Sequence, residues 1–107
     1  MTAERIRGLN DAFRRSFTGG RVMTTAGVAA MTAELRAEVF ERVRLFEAFT
    51  PENDPLGEHD FGSFESAGHK LFWKIDYYDA AMEFGSEEPA DPSKTTRVLT
   101  IMLASEY

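Results

Sequence analysis

The chain has 107 residues, of which 43% are hydrophobic and 28% are charged, and it contains no cysteine. This length suits one domain with a single core, and the lack of cysteine excludes a disulfide framework and a thiolate metal site. The formal net charge of −6 disfavours nucleic acid and anionic membranes as direct partners.

The charges are segregated along the chain. Residues 1–46 hold eight Arg and five acidic residues, whereas residues 47–91 hold twelve acidic residues and two Lys. An acidic block of this kind speeds the encounter with a basic partner, and similar blocks also serve only to keep a protein in solution. The sequence therefore predicts either a recognition surface or a solvated surface in its central part.

The N-terminal residues do not have the character of a targeting segment. They read MTAERIRGLNDAFRR, which is charged where a secretory signal needs an apolar region. No apolar run in the sequence approaches the roughly 18 residues of a membrane span. We therefore expect a soluble, cytoplasmic protein that does not bind a membrane.

The first predicted element is an amphipathic helix over residues 3–17. Its apolar residues recur at spacings of three and four and share one stripe: Ile6, Leu9, Phe13 and Phe17. Arg14 and Arg15 fall off this stripe, near the end of the helix, where cations complement the negative end of the helix dipole. Gly19 ends the helix, and a short strand is predicted over residues 21–25.

A second helix is predicted over residues 33–49. Thr32 suits the N-cap position, and Glu34 is placed in the first turn. The apolar stripe consists of Leu35, Val39, Val43 and Phe46. Pro51 prevents the helix from continuing, and a turn-rich loop leads to the next element.

A β-hairpin is predicted over residues 60–79. Period-two alternation places one set of residues on a core face, namely Leu71, Trp73, Ile75 and Tyr77. The opposite face carries Lys70, Phe72, Lys74, Asp76 and Tyr78. Ser66, Ala67 and Gly68 are predicted to form a type I turn with Gly68 in the left-handed conformation of a bulge-type hairpin.

The last two segments are an acidic loop and a strand. Residues 80–94 lack periodicity and contain turn formers, so they predict a surface loop. Residues 95–105 are apolar on both faces, which is typical of an interior strand. The whole chain, residues 1–107, thus predicts one α+β domain in which a small antiparallel sheet of three to four strands has two helices on one face.

Three stretches resemble a known family. They are NDP at 53–55 continuing to GEHDFG at 57–62, FWKIDYYD at 72–79, and TRVLTIMLASEY at 96–107. The chain resembles small, mainly proteobacterial proteins that are catalogued as a domain of unknown function and often encoded near mobile-element genes. The resemblance brings no activity and no catalytic residues, and it implies a small cytoplasmic protein with an accessory role on mobile DNA.

One constellation suggests enzyme chemistry. Glu58, His59, Asp60 and Asp76 are residue types that bind metal ions or transfer protons, so a metal-dependent hydrolase is the alternative function. In an extended strand His59 points away from Glu58 and Asp60, so convergence needs a turn. The sequence holds no H-E-x-x-H pair, no calcium loop, no phosphate-binding loop and no G-x-S-x-G motif. We therefore expect no catalytic residues, no metal and no cofactor.

The preferred interpretation is a non-enzymatic protein that binds the basic surface of another protein. Such a protein would be an inhibitor of a nuclease or defence complex, or a regulator of a DNA-binding protein. Direct binding of nucleic acid is not expected, and a homo-oligomer is left open. The predicted partner-binding residues are acidic or aromatic: Glu58, Asp60, Phe72, Asp76, Tyr78, Asp79, Glu87 and Glu88.

Overall fold

The structure is a computed structural model that describes residues 2–107. Its elements, in chain order, are α1 (Thr2–Ser16), β1 (Arg21–Thr24), α2 (Ala26–Ala29), α3 (Ala33–Arg44), β2 (Phe61–Ser66), β3 (His69–Tyr78) and β4 (Thr96–Leu103). A 3-10 turn, Ala104–Glu106, follows β4. Within the described residues, no helix combines the length and the apolar character that crossing a membrane requires.

The four strands form one sheet in the order β1-β4-β3-β2. The central pairings, β2 with β3 and β3 with β4, are antiparallel, and β1 pairs with β4 in parallel. The predicted α+β class is confirmed, but the sheet is mixed rather than antiparallel. A parallel neighbour is allowed here because two helices and the hairpin separate β1 from β4, which gives the chain length that a crossover needs.

The hairpin turn differs from the predicted one. Ser66 pairs directly with His69, so the loop contains only Ala67 and Gly68. Both have positive φ, 49° and 80°, as in a type I′ turn. The predicted type I turn with a bulge is therefore wrong, and the physical reason is that a type I′ turn matches the right-handed twist of the two strands.

The helices also depart from the predicted limits. The second predicted helix ends at Arg44 rather than Phe49, and the side chain of Arg14 donates to the carbonyl oxygens of Val43 (2.9 Å) and Arg44 (3.1 Å) at this end. Carbonyls in the last turn of a helix lack the usual helical partner, so Arg14 supplies a donor to these two, and the Val43 carbonyl also accepts from the Phe46 amide (3.3 Å). The short helix α2 was not predicted, because four residues are too few to show a period.

The core lies between the helices and one face of the sheet. Its buried apolar residues come from all three helices and from three strands, and the largest contributors are Phe13, Val28, Val39, Val43, Leu71, Trp73, Ile75, Leu99 and Ile101. Trp73 has no exposed surface, so its predicted core position is confirmed. Among residues 2–107 no α-helix packs on the other face of the sheet, and the term "open face" is used for it below.

Candidate functional site

The residues predicted to form a site occupy three different places. Glu58, His59 and Asp60 precede β2, the open face of β3 carries Phe72, Asp76 and Tyr78, and the segment between β3 and β4 carries Asp79, Glu87 and Glu88. We call residues 79–95 the acidic loop. Each of the three places has its own geometry.

Glu58 belongs to a hydrogen-bond network inside the protein. The Tyr77 hydroxyl donates to Glu58 Oε1 (2.8 Å), and Asn10 donates through Nδ2 to the Tyr77 oxygen (2.8 Å) and to the Glu58 carbonyl (3.0 Å). Arg97 Nε donates to Asn10 Oδ1 (2.8 Å). Burial raises the pKa of the Tyr77 hydroxyl, which keeps its proton available for Glu58. Glu58 therefore ties the start of the hairpin to α1 and β4.

His59 is directed away from Glu58. Its backbone is left-handed, with φ of 53°, which supplies the turn that an extended strand lacks. The ring stacks on Phe49 with centroids 3.7 Å apart, and Nδ1 lies 2.9 Å from a carboxylate oxygen of Asp11. Nε2 lies 3.6 Å from an oxygen of Asp54. Both ring nitrogens therefore face carboxylates that belong to other segments.

The hydrolase alternative receives no support from this arrangement. Asp76 forms an ion pair with Lys74 (3.1 Å) on the open face, while His59 faces Asp11. Across residues 2–107, no three His, Asp or Glu side chains are grouped so that they could hold a metal ion. The structure thus does not bring Glu58, His59, Asp60 and Asp76 to one point.

Neighbouring acidic residues nevertheless affect the pKa of the Asp60 carboxyl. Burial raises the pKa of its carboxyl above the usual range, and the charges of Glu58, Asp54 and Asp76 add to this effect. In the folded protein the ionised form of Asp60 is therefore disfavoured. The resulting loss of folding stability is absent in acid, where Asp60 is protonated in both the folded and the unfolded chain. It begins near the ordinary aspartate pKa of about 4 and is complete above the raised pKa.

We expect Asp60→Asn to stabilise the protein at pH 7, because it removes the disfavoured charge. The gain should vanish as the pH falls below about 4, where wild-type Asp60 is protonated as well. Urea denaturation at several pH values measures the difference in the free energy of unfolding between wild type and Asp60→Asn. Asp91→Asn is the control of opposite sign, since hydrogen bonds from the Ser93 hydroxyl and amide lower the pKa of Asp91. Equal effects of the two substitutions would contradict the role of burial.

Aromatic rings cover one part of the open face. The rings of Phe61 and Phe72 lie 5.2 Å apart, and Tyr107 packs edge-on against Phe72 at 5.4 Å. Glu106 fixes the C-terminal turn by accepting from the Thr25 hydroxyl (2.6 Å) and from the backbone of Leu103 (3.0 Å). Phe72 is consequently half-buried by this chain itself, which makes it a weaker binding candidate than the sequence predicts.

The remainder of the open face contains a concavity of about 330 Å³. We call it the open-face trough. Its lining is mixed: apolar and aromatic residues alternate with polar and charged ones, namely Met23, Thr25, Lys74, Asp76, Tyr78, Met82, Val98, Thr100, Met102, Glu106 and Tyr107. Two of the predicted partner-binding residues, Asp76 and Tyr78, therefore line it.

The acidic loop is held in place by many hydrogen bonds. At its start the Asp79 amide donates to the Phe84 carbonyl (2.7 Å), and the Ser86 amide donates to the Tyr77 carbonyl (3.0 Å). At its end the Thr95 hydroxyl donates to the Glu88 carbonyl (2.8 Å). Side chains of α1 and β4 contact its middle, since Arg5 donates to Ala90 and Arg97 donates to Pro89.

An exposed aromatic residue stands within this loop. Phe84 is 71% exposed, and it lines a concavity of about 350 Å³ together with Asp79, Glu87 and Glu88. Lys94 borders the same concavity and pairs with Glu88 at 3.4 Å. Phe84 was missed from the sequence, although an aromatic residue inside an acidic, turn-rich segment was a usable signal.

The comparisons with known proteins identify the family. The family model described as "Protein of unknown function (DUF3768)" matches residues 24–106. No curated protein and no solved structure matches the chain. The matched range begins at Thr24, the last residue of β1, and extends to the C-terminal turn, so it includes the hairpin, the acidic loop and the strands β2 to β4 of the open face. The chain therefore belongs to the DUF3768 family of proteins of unknown function.

Proposed function

We propose that this protein is a non-enzymatic binding protein whose acidic loop engages a basic surface of a partner protein. The observation that carries the proposal is the exposure of Phe84 among Asp79, Glu87 and Glu88. Aromatic side chains near the centre of an interface usually supply most of the affinity, and charges at its rim supply orientation and association rate. The loop offers both components in one concavity.

The backbone of the acidic loop is fixed by hydrogen bonds, which favours a role in recognition over a role in solubility alone. A surface that only keeps a protein in solution needs no fixed loop, whereas binding is stronger when the loop does not have to be ordered first. Hydrogen bonds from Arg5, Ser86, Thr95 and Arg97 provide such order. The charge around Phe84 is thus presented in one arrangement.

The charge of the loop indicates the class of partner. A protein that itself binds nucleic acid presents a positive surface, which an acidic protein can occupy in place of the phosphates. Inhibition of a nuclease or defence complex, or regulation of a DNA-binding protein, would follow from such occupancy. The binding residues in this proposal are Asp79, Phe84, Glu87 and Glu88, with Asp76 and Tyr78 on the adjoining open face.

Matched charge variants test the proposal by affinity capture from a native-host lysate. The loop variant carries Glu83→Gln, Glu87→Gln and Glu88→Gln, and the control carries the same change at Glu34, Glu38 and Glu41 on α3. All six side chains are exposed, and each variant loses three negative charges. We expect a partner that wild type and the α3 control capture and that the loop variant loses.

Phe84→Ser provides a second arm that leaves the net charge unchanged. We expect it to weaken capture by at least about tenfold. A tenfold change in affinity corresponds to about 1.4 kcal/mol, and loss of an aromatic anchor costs more than this. Its folding is checked by circular dichroism, and little change is expected because Phe84 is exposed. Equal losses in the loop and α3 variants, with no effect of Phe84→Ser, would contradict the proposal.

A further inference from the structure

The open-face trough is a concavity of mixed polarity on the sheet face that carries no α-helix of residues 2–107. Val98 and Met102 at its floor are only 4% and 2% exposed, whereas Met23 at its side is 53% exposed. The helices all pack on the opposite face of the sheet, so no element of residues 2–107 fills the trough. Surface concavities that combine apolar side chains with a few polar groups are a common feature of binding sites.

The three strands beneath the trough span about the width of one α-helix. Its residues come from three adjacent strands: Met23 from β1, Val98 and Met102 from β4, and Tyr78 from β3. Neighbouring strands lie about 4.8 Å apart, so the two outer strands are separated by about 10 Å. An α-helix with its side chains is about 10–12 Å in diameter.

Methionine residues make the lining adaptable. Three of the five methionines in the chain, Met23, Met82 and Met102, line the trough. Their flexible side chains can repack against different apolar partners. Met82 also has a left-handed backbone with φ of 61°, a conformation that is costly for a residue other than glycine and is concentrated at functional sites.

The surroundings of the trough decide which helix fits. Met82 belongs to the acidic loop, and Tyr78 is followed directly by Asp79, so one border of the trough is continuous with the acidic residues around Phe84. A basic helix is therefore complementary to this border. A second copy of the chain is disfavoured, because each copy has a net charge of −6.

We infer that the open-face trough binds an amphipathic, basic α-helix of the partner protein. The apolar stripe of that helix packs on Met23, Met82 and Tyr78, above the buried Met102, and its Lys or Arg residues lie toward the acidic loop, where Asp79 follows Tyr78 and Glu83 follows Met82. The inference rests on the proposed function, since it names the part of the partner that binds beside the loop. Helix binding in an apolar groove is an established mode of recognition.

Two synthetic peptides test the inference on the whole chain. One has about 18 residues, or five helical turns, with leucines on one face and lysines on the other. The second has the same composition in an order that places leucines all around the helix. Methyl-labelled methionine reports the contact by nuclear magnetic resonance. We expect the amphipathic peptide to shift the signals of Met23, Met82 and Met102 and to leave Met31, which packs on the helix side of the sheet, unchanged.

Substitutions of two methionines that line the trough test the contact. Met23→Gln and Met82→Gln should each weaken binding of the amphipathic peptide by about tenfold, because each puts an amide into the apolar contact. Leu45→Gln, at an exposed apolar site directly after α3, should have no effect. Shifts that appear with rising protein concentration and without peptide would show a second copy in the trough and overturn the inference.

The remaining outcomes distinguish this inference from the proposed function. If both peptides bind equally, lose affinity in the loop variant and leave the methionine signals unchanged, the trough is not the helix site and the acidic loop alone is responsible. If neither peptide binds, the helix inference is overturned. The capture experiment with Phe84→Ser still tests whether the acidic loop binds a partner. Only selective binding of the amphipathic peptide with the three methionine shifts supports the inference.

Discussion

Replacing Trp73 with alanine is expected to lower the free energy of unfolding by about 3–5 kcal/mol. Trp73 has no exposed surface, and its ring packs edge-on against Phe46 (5.6 Å) and Phe49 (6.1 Å). A Cβ atom at Gly62 would overlap the indole nitrogen, which shows how closely β2 approaches this side chain. The alanine variant would leave a large cavity that these neighbours cannot fill without rearrangement.

Urea denaturation of wild type and Trp73→Ala measures this loss. Tyr107→Ala is a suitable control, because Tyr107 is 74% exposed and lies on the other face of the sheet. It should change the stability far less. A loss below about 1 kcal/mol for Trp73→Ala would mean that the alternation of β3 is assigned to the wrong faces.

Replacing Arg14 with alanine is expected to cost about 3–5 kcal/mol, as for other buried charges that lose one partner. The Arg14 side chain is fully buried, donates to two carbonyls at the end of α3 and to Asp11 Oδ1 (3.2 Å), and lies over the rings of Phe49 and Trp73. The substitution would remove these hydrogen bonds, which include the one to the Arg44 carbonyl, and would remove packing between α1 and α3.

Arg15→Ala is the matched control for Arg14. Arg15 is the next residue in α1 but is exposed and pairs with Glu47 (3.0 Å), so its loss should cost less than about 1 kcal/mol. Arg14→Lys tests the geometry, since lysine keeps the charge but cannot reproduce the forked hydrogen bonds of arginine. Similar, small losses for Arg14→Ala and Arg15→Ala would contradict the structural role of Arg14.

The sequence was sufficient to predict the elements in which apolar residues recur at a regular spacing. Alternation in β3 correctly placed Trp73 in the core, because one face of this strand is buried and a shift by one residue would expose the whole apolar set. The same kind of reasoning placed Arg14 on the outer side of α1. Its burial depends on Asp11 and on the carbonyls of Val43 and Arg44, and the spacing of residues in one helix does not contain these long-range contacts.

The candidate site was predicted only in part, for related reasons. Charge counting located an acidic block over residues 47–91, and the turn formers and missing periodicity located the loop within it, since both are local properties of the sequence. The tie between Glu58 and Tyr77 and the packing of His59 between Phe49 and Asp11 depend on the left-handed turn at His59. Histidine adopts the left-handed conformation more often than most residues other than glycine, but a single histidine does not locate a turn. The parallel pairing of β1 with β4 was equally hidden, because it joins distant segments.

The salt dependence of association tests the central claim most directly. The captured partner would be bound to wild type and to the variant with Glu83→Gln, Glu87→Gln and Glu88→Gln at about 0.05 M and about 0.5 M salt, which spans weak to strong screening. If the acidic loop recognises a basic surface, salt should slow association with wild type strongly and with the variant only slightly. Association that is insensitive to salt and equal for both proteins would contradict the proposed function.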